Sequence, residues 1–133
     1  RFLCNGWIEA SLRFRGQGVD KSAGLFLRLS ENSYHPDQIR TGHRGYYVGF
    51  DTRRVWISRM NFNEKELACA FWPLEIETTY RMKASIDQGE IIVYVDDEEV
   101  LRTVETDPLP YGKAAVGSFG ARITVETVSL DMR

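Results

Sequence analysis

The feature that most constrains this chain is a hydrophobic rhythm of two residues, sustained almost from end to end. Successive side chains of an extended strand point to opposite faces, so alternation writes one buried and one exposed face. From Trp7 to Phe14 the residues Ile8, Ala10, Leu12 and Phe14 share a face. Thr79 to Ile86 repeats the pattern with Tyr80, Met82, Ala84 and Ile86. Ala23 to Leu29 is the most apolar run, with Leu25, Leu27 and Leu29 on one side and Phe26 and Arg28 on the other. Gly45 to Asp51 and Val55 to Met60 are joined by a tight turn, and Ile91 to Val95, Val100-Leu101, Ala114 to Phe119 and Ile123 to Leu130 complete the set. Gly16-Gln17-Gly18, Asp87-Gln88-Gly89 and Asp96-Asp97 punctuate it with turn residues. Short strands at such spacing predict an all-β fold, an antiparallel β-sandwich or barrel. Asn63 to Ala70 contains good helix formers but is short and lies between β patterns, so a helical turn and a strand both fit it.

At 133 residues the natural count is one domain. Seventeen basic against nineteen acidic residues give a net charge of −2, which argues against a phosphate-binding surface and against nucleic acid as a partner. No apolar run approaches the roughly 20 residues that span a bilayer, and a membrane is not expected. The chain opens on Arg1-Phe2-Leu3-Cys4 without a signal peptide, as a mature product or an excised fragment would. Cys4 and Cys69 have no metal-ligand spacing, and one bridge or two free thiols both fit. The predicted core draws on every strand but Val100-Leu101, with Tyr80 and Val116 in it and Val125 and Val128 from the last strand.

Several chemistries lack their residues. No Gly-rich phosphate cradle opens a helix, no Gly-x-Ser-x-Gly elbow occurs, and neither histidine has a zinc-spaced partner. Glu75-Ile76-Glu77 alternates as a glycosidase pair would, yet reads better as solvated carboxylates leading into a strand. Glu31 with Asp37 is the other acid–base pair a stand-alone enzyme would use. Asp96 to Glu99 is an acidic hairpin turn that reads as solvated, with structural calcium as the alternative. No cofactor and no catalytic residue is expected.

What remains is a recognition surface. Sugars are held by aromatic faces against the C–H side of the ring, with Arg, Asp, Glu, Asn and Gln on the hydroxyls. Alternation turns Arg28, Tyr47 and Trp56 away from the core, so on one sheet they would share a surface. The longest stretch without strand character, Ser30 to Arg44, carries both histidines, His35 and His43. Long loops in compact domains are commonly functional, and Glu31, His35, Asp37 and Gln38 would reach over the surface from this one. Gly45, Gly49 and Gly117 would let a ligand approach backbone. The plainer reading is an outer sheet face with scattered aromatics.

Six runs in order carry a resemblance: Ala23-Gly24-Leu25-Phe26-Leu27-Arg28, Gly45-Tyr46-Tyr47-Val48-Gly49-Phe50-Asp51, Val55 to Arg59, Thr79 to Ala84, Ile91 to Asp97, and Gly112 to Gly120. Together they resemble the concanavalin A-like jelly-roll modules attached to glycoside hydrolases, nearest to family 66 carbohydrate-binding modules and 3-keto-disaccharide-hydrolase-like domains. The resemblance covers Trp7 to the C-terminus. It implies a non-catalytic module that targets a glycoside hydrolase to the terminal residues of a plant or microbial glycan, of fructan or arabinan type. It places a sugar-binding Arg on Arg28 and a Tyr on Tyr47. The partners implied are an oligo- or polysaccharide and a catalytic glycosidase domain, in a secreted or periplasmic setting. The alternative is a structural accessory sandwich that completes the active site of a family 43-like or family 32-like glycosidase. Such modules carry a Trp-containing strand ahead of the position of Phe2, so the chain is expected to be a single domain cut from a larger glycoside hydrolase without its first strand.

Overall fold

The computed structural model describes residues 3–16, 21–31, 43–61 and 63–133, leaving out the side chains of Glu31 and His43. Among these residues lie ten strands and no helix: β1 (Gly6–Gly16), β2 (Ser22–Glu31), β3 (His43–Phe50), β4 (Arg54–Asn61), β5 (Glu64–Phe71), β6 (Thr79–Asp87), β7 (Glu90–Val95), β8 (Glu98–Val104), β9 (Lys113–Phe119) and β10 (Arg122–Met132). They form two antiparallel five-stranded sheets, β10-β1-β6-β7-β8 and β5-β4-β3-β2-β9. Here we name them the first and second sheet.

The alternation becomes the core directly. Ile8, Ala10, Leu12 and Phe14 of β1 meet Leu25, Leu27, Tyr46, Val48, Phe50, Val55 and Ile57 of the second sheet, with Met82, Ala84, Ile86, Ile91 and Val93 beside them. Fully burying a Val, Leu, Ile, Phe or Met side chain among them contributes about 1.5–3 kcal/mol. The hairpins follow their turn residues. Asp51 accepts hydrogen bonds at Oδ1 from the Arg53 and Arg54 amides, at 2.8 and 2.9 Å. Asp96 and Asp97 both take left-handed backbone, φ 50° and 71°, as a two-residue hairpin turn requires.

Two open alternatives are decided, at Asn63 to Ala70 and at the two cysteines, and two expectations are corrected. Asn63 to Ala70 contains no helical turn: Glu64–Phe71 is an edge strand, because pairing with β4 outweighs local helix propensity. The Ser30–Arg44 stretch is partly strand, since Ser30 pairs with Arg44 and Glu31 with His43. Cys4 and Cys69 are free thiols. Val125 and Val128 face the sandwich interior but are 43% and 49% exposed, because among the described residues the second sheet ends at β9, short of β10; Tyr80 and Val116 are only partly buried.

The segment crossing from β8 to β9 is held by three side chains of the second sheet. Arg59 binds Glu105 at 2.9 Å and the Asp107 carbonyl at 2.8 Å. The buried Tyr46 hydroxyl accepts from the Leu109 amide at 2.9 Å. Burial pushes the Tyr46 phenol up from its ordinary range. Arg28 is the third.

Candidate functional site

Arg28 does not lie on the outer face. The β2 register slips between Leu27 and Ser30 against β3 and between Phe26 and Leu29 against β9, so β2 carries a bulge there. Arg28 sits in it with φ 51°, which takes its side chain out of the alternation. Its guanidinium is completely buried and donates to the Cys4 carbonyl at 2.8 Å, the Leu109 carbonyl at 2.7 Å and Asn5 Oδ1 at 3.0 Å. Desolvation lowers its pKa, as burial does to any cation. Two glycines make room for the bulge. A Cβ on Gly112 would lie 2.2 Å from the Arg28 carbonyl carbon, and one on Gly45 would lie 2.8 Å from the Leu29 Cα. No alternation rule announces a bulge, which is why the sequence pattern points this side chain the wrong way.

Tyr47 and Trp56 do share the outer face of the second sheet. Cross-strand neighbours put Phe26 beside Tyr47, and Tyr47 beside Ser58. Phe26 and Tyr47 rings stand 4.9 Å apart, Tyr47 and Phe119 meet edge-to-face at 5.0 Å, and Tyr47 and Trp56 at 6.1 Å. The Arg54 guanidinium lies 4.5 Å over the Trp56 ring. These rings are closely covered, Tyr47 being 1% and Trp56 5% exposed. Tyr47 OH and Ser22 Oγ hydrogen-bond at 2.9 Å. The glycines on this face admit the protein's own rings: a Cβ would lie 2.4 Å from the Trp56 ring at Gly49, and 2.5 Å from the Phe26 ring at Gly117.

The open part of the face lies along β2 and β9. One cavity of about 200 Å³ is walled by Phe26, Leu29 and Phe119 over Ala115 and Gly117. A second, of about 420 Å³, shares Leu29 and is bounded by Ser30, Gly112 and Lys113. The groove thus runs from an aromatic end to a polar one. Phe119, the ring that walls it, was legible only as the third outward position of its strand after Ala115 and Gly117. Glu31 closes β2 with its side chain outside the described residues, and His35, Asp37 and Gln38 also lie outside them.

The remaining candidates are separate. Glu77 pairs with Arg15 at 3.1 Å on the surface, and Glu75 is exposed, its amide bonded to the Tyr80 hydroxyl at 2.9 Å. Asp97 pairs with Arg81, and Glu99 with Arg102 at 2.8 Å. Among the described residues no group of three or more His, Cys, Asp or Glu side chains is placed to hold a metal. The outer face of the first sheet carries a second aromatic pair, with the Lys83 ammonium 4.9 Å from the Trp7 ring and 5.7 Å from the Tyr94 ring.

Ten antiparallel strands in two facing five-stranded sheets, with β8 and β9 crossing between them, fix the architecture. The fold is a concanavalin A-like jelly roll. It is similar to the carbohydrate-binding module CBM66 from Bacillus subtilis, with a TM-score of 0.70 and 14% identity over 96% of this chain and 74% of that one. Sheep galectin-11 matches with a TM-score of 0.65 and 11% identity, over 95% and 89%. The alginate lyase AlgAT5, of polysaccharide lyase family 7, matches with a TM-score of 0.55 and 10% identity, over 98% of this chain but 60% of the lyase. No protein-family model and no curated protein matches the sequence.

Proposed function

We propose that this jelly roll is a non-catalytic saccharide-binding module whose site is the groove along β2 and β9. The observation that carries the reading is the groove's two-part lining, with Phe26 and Phe119 at one end and Ser30 and Lys113 at the other. A sugar ring presents the same pair of surfaces, one C–H face and a rim of hydroxyls. Tyr47 and Trp56 support the groove from beneath rather than stacking on the sugar. The similarity in fold to a carbohydrate-binding module and to a galectin supports this reading. The finer form is a module that targets an attached glycoside hydrolase to the ends of a fructan or arabinan chain. With so few groups buried, a single site should bind with a Kd on the order of tens of micromolar to a millimolar.

The test is calorimetry or affinity electrophoresis against levan, inulin, arabinan, xylan and β-glucan. Phe119→Ala and Lys113→Ala should each weaken saturable binding to one of these. Loss on Trp7→Ala or Tyr94→Ala, with those two variants silent, would move the site to the first sheet. No binding by the folded chain would sink the proposal and favour the accessory-domain reading, whose supporting observation is the half-exposed apolar row on β10.

A further inference from the structure

Tyr111 stands at the polar end of the β2–β9 groove and is 59% exposed. It immediately precedes Gly112 and Lys113, which bound the larger cavity. The backbone is pinned on both sides of it. The Leu109 amide donates to the Tyr46 hydroxyl at 2.9 Å, and the Leu109 carbonyl accepts from Arg28 at 2.7 Å. The Pro110 carbonyl accepts from the Cys4 amide at 2.8 Å. Gly112 packs so closely on β2 that a Cβ would lie 2.2 Å from the Arg28 carbonyl carbon, and Lys113 pairs with Leu29. The Arg44 guanidinium lies 5.7 Å from the centre of the Tyr111 ring, a cation–π contact. A fixed backbone thus presents an aromatic ring that the core does not use. Single exposed aromatics are ordinary, but this one prolongs a groove walled at its far end by Phe26 and Phe119.

We infer that Tyr111 is a second stacking platform, and that the groove takes a chain of two or more sugar units rather than a single ring. The inference rests on the saccharide reading of the groove and adds to it the size of the ligand. Lys113, Ala115, Gly117 and Phe119 alternate onto one face of β9. At about 3.3 Å per residue the steps from Lys113 to Phe119 cover about 20 Å, and Tyr111 lies beyond them. That length is several times the width of one sugar ring, which is close to that of a phenyl ring. Leu29 lines both cavities, which makes them one path along β2 and β9.

The order of groups along that path suits a chain. The terminal unit lies against Phe26 and Phe119, in the cavity of about 200 Å³. The next unit passes Leu29 into the cavity of about 420 Å³, where Ser30 and the Lys113 ammonium meet its hydroxyls. The chain then leaves over the Tyr111 ring, which offers a flat face to a C–H face. A single ring bound between Phe119 and Lys113 would give Tyr111 no contact. Because the backbone around Tyr111 is held before any ligand arrives, stacking there carries little ordering cost.

The test is calorimetry of the chain against size ladders, from a single sugar to a pentasaccharide, cut from levan, inulin, arabinan, xylan and β-glucan. The short members are read by displacement of the longest. Along a ladder that binds, affinity should rise at least about tenfold from the single sugar to the pentasaccharide. Tyr111→Ala should lower the affinity of the pentasaccharide about fivefold or more, leave the single sugar within about twofold, and leave Tm unchanged. Tyr111→Phe should keep the full dependence on length, because stacking needs the ring and not the hydroxyl. Phe119→Ala should weaken every length alike. Affinity that does not grow with length, or a Tyr111→Ala loss equal at all lengths, would overturn the second platform and leave the saccharide site itself standing. No binding to any ladder by the folded chain would overturn the saccharide reading, and this inference with it.

Discussion

Arg28 and Leu109, 81 residues apart, are joined by a 2.7 Å hydrogen bond from a wholly buried guanidinium to a backbone carbonyl. The same guanidinium reaches Cys4 and Asn5, so one side chain fixes the chain ahead of β1 and the crossing into β9. Hydrogen bonds from a charged donor contribute about 1.5–3 kcal/mol each, and orphaned buried carbonyls add their own penalty. Arg28→Met should therefore destabilise the domain by about 3–5 kcal/mol in urea unfolding. Arg28→Lys should recover little, because an ammonium lacks the fork that reaches three acceptors. Whatever remains folded should keep its saccharide affinity. A stable Arg28→Met variant that has lost binding would return this residue to the ligand.

Gly112→Ala tests the same bulge from the other side. At Gly112 the backbone φ is 150°, and an added Cβ would meet the Arg28 backbone at 2.2 Å. Among the described residues nothing lies within 4 Å of a Cβ at Gly16. Thermal unfolding should show a loss of more than about 2 kcal/mol for Gly112→Ala and a change within about 1 kcal/mol for Gly16→Ala. Similar effects at both sites would mean that the bulge is not packed as described.

Tyr46 makes stability fall at high pH. Its phenol is raised above its ordinary value of 10.0, chiefly by burial. The folded state therefore keeps a proton that the unfolded chain releases. The stabilisation is complete below pH 10 and is lost as pH rises through the folded pKa. Tyr46→Phe should cost about 1–3 kcal/mol at neutral pH, because the Leu109 amide loses its acceptor. It should also flatten the decline above pH 10 in urea unfolding. An unchanged alkaline slope would contradict this.

Ser58, beside Tyr47, is 1% exposed, and its hydroxyl has no hydrogen-bond partner among the described residues. A buried polar group without a partner is a net penalty. Ser58→Ala should leave stability unchanged or raise it by up to about 1 kcal/mol. A loss above that range would mean that the hydroxyl has a partner in solution.

Alternation alone makes the sandwich legible, because Ile8 to Phe14 and Tyr80 to Ile86 state which face is buried without reference to anything distant. It also places Tyr47 and Trp56 together outside the core. It fails where geometry is not periodic. The bulge at Arg28 breaks the count, and the end of a sheet at β9 leaves Val125 and Val128 core-facing but half uncovered. The Phe119 wall depends on a cross-strand meeting with Tyr47 that no local pattern encodes. Glu64 to Phe71 goes to strand because β4 offers it a ladder, not because of its own composition.

The division of labour on the outer face predicts a separation between support and contact. Tyr47→Phe removes the hydroxyl that meets Ser22 at 2.9 Å but keeps the ring that packs on Phe26 and Phe119. It should cost about 1 kcal/mol of stability and leave saccharide affinity within about twofold. Phe119→Ala removes a wall of the groove. Aromatic contacts contribute about 0.5–1.5 kcal/mol beyond the area they bury, so affinity should fall about tenfold or more. Calorimetry on both variants, with urea unfolding in parallel, reads the two effects apart. If Tyr47→Phe weakens binding as much as Phe119→Ala does, the Tyr47 hydroxyl is a ligand contact and the supporting role is wrong.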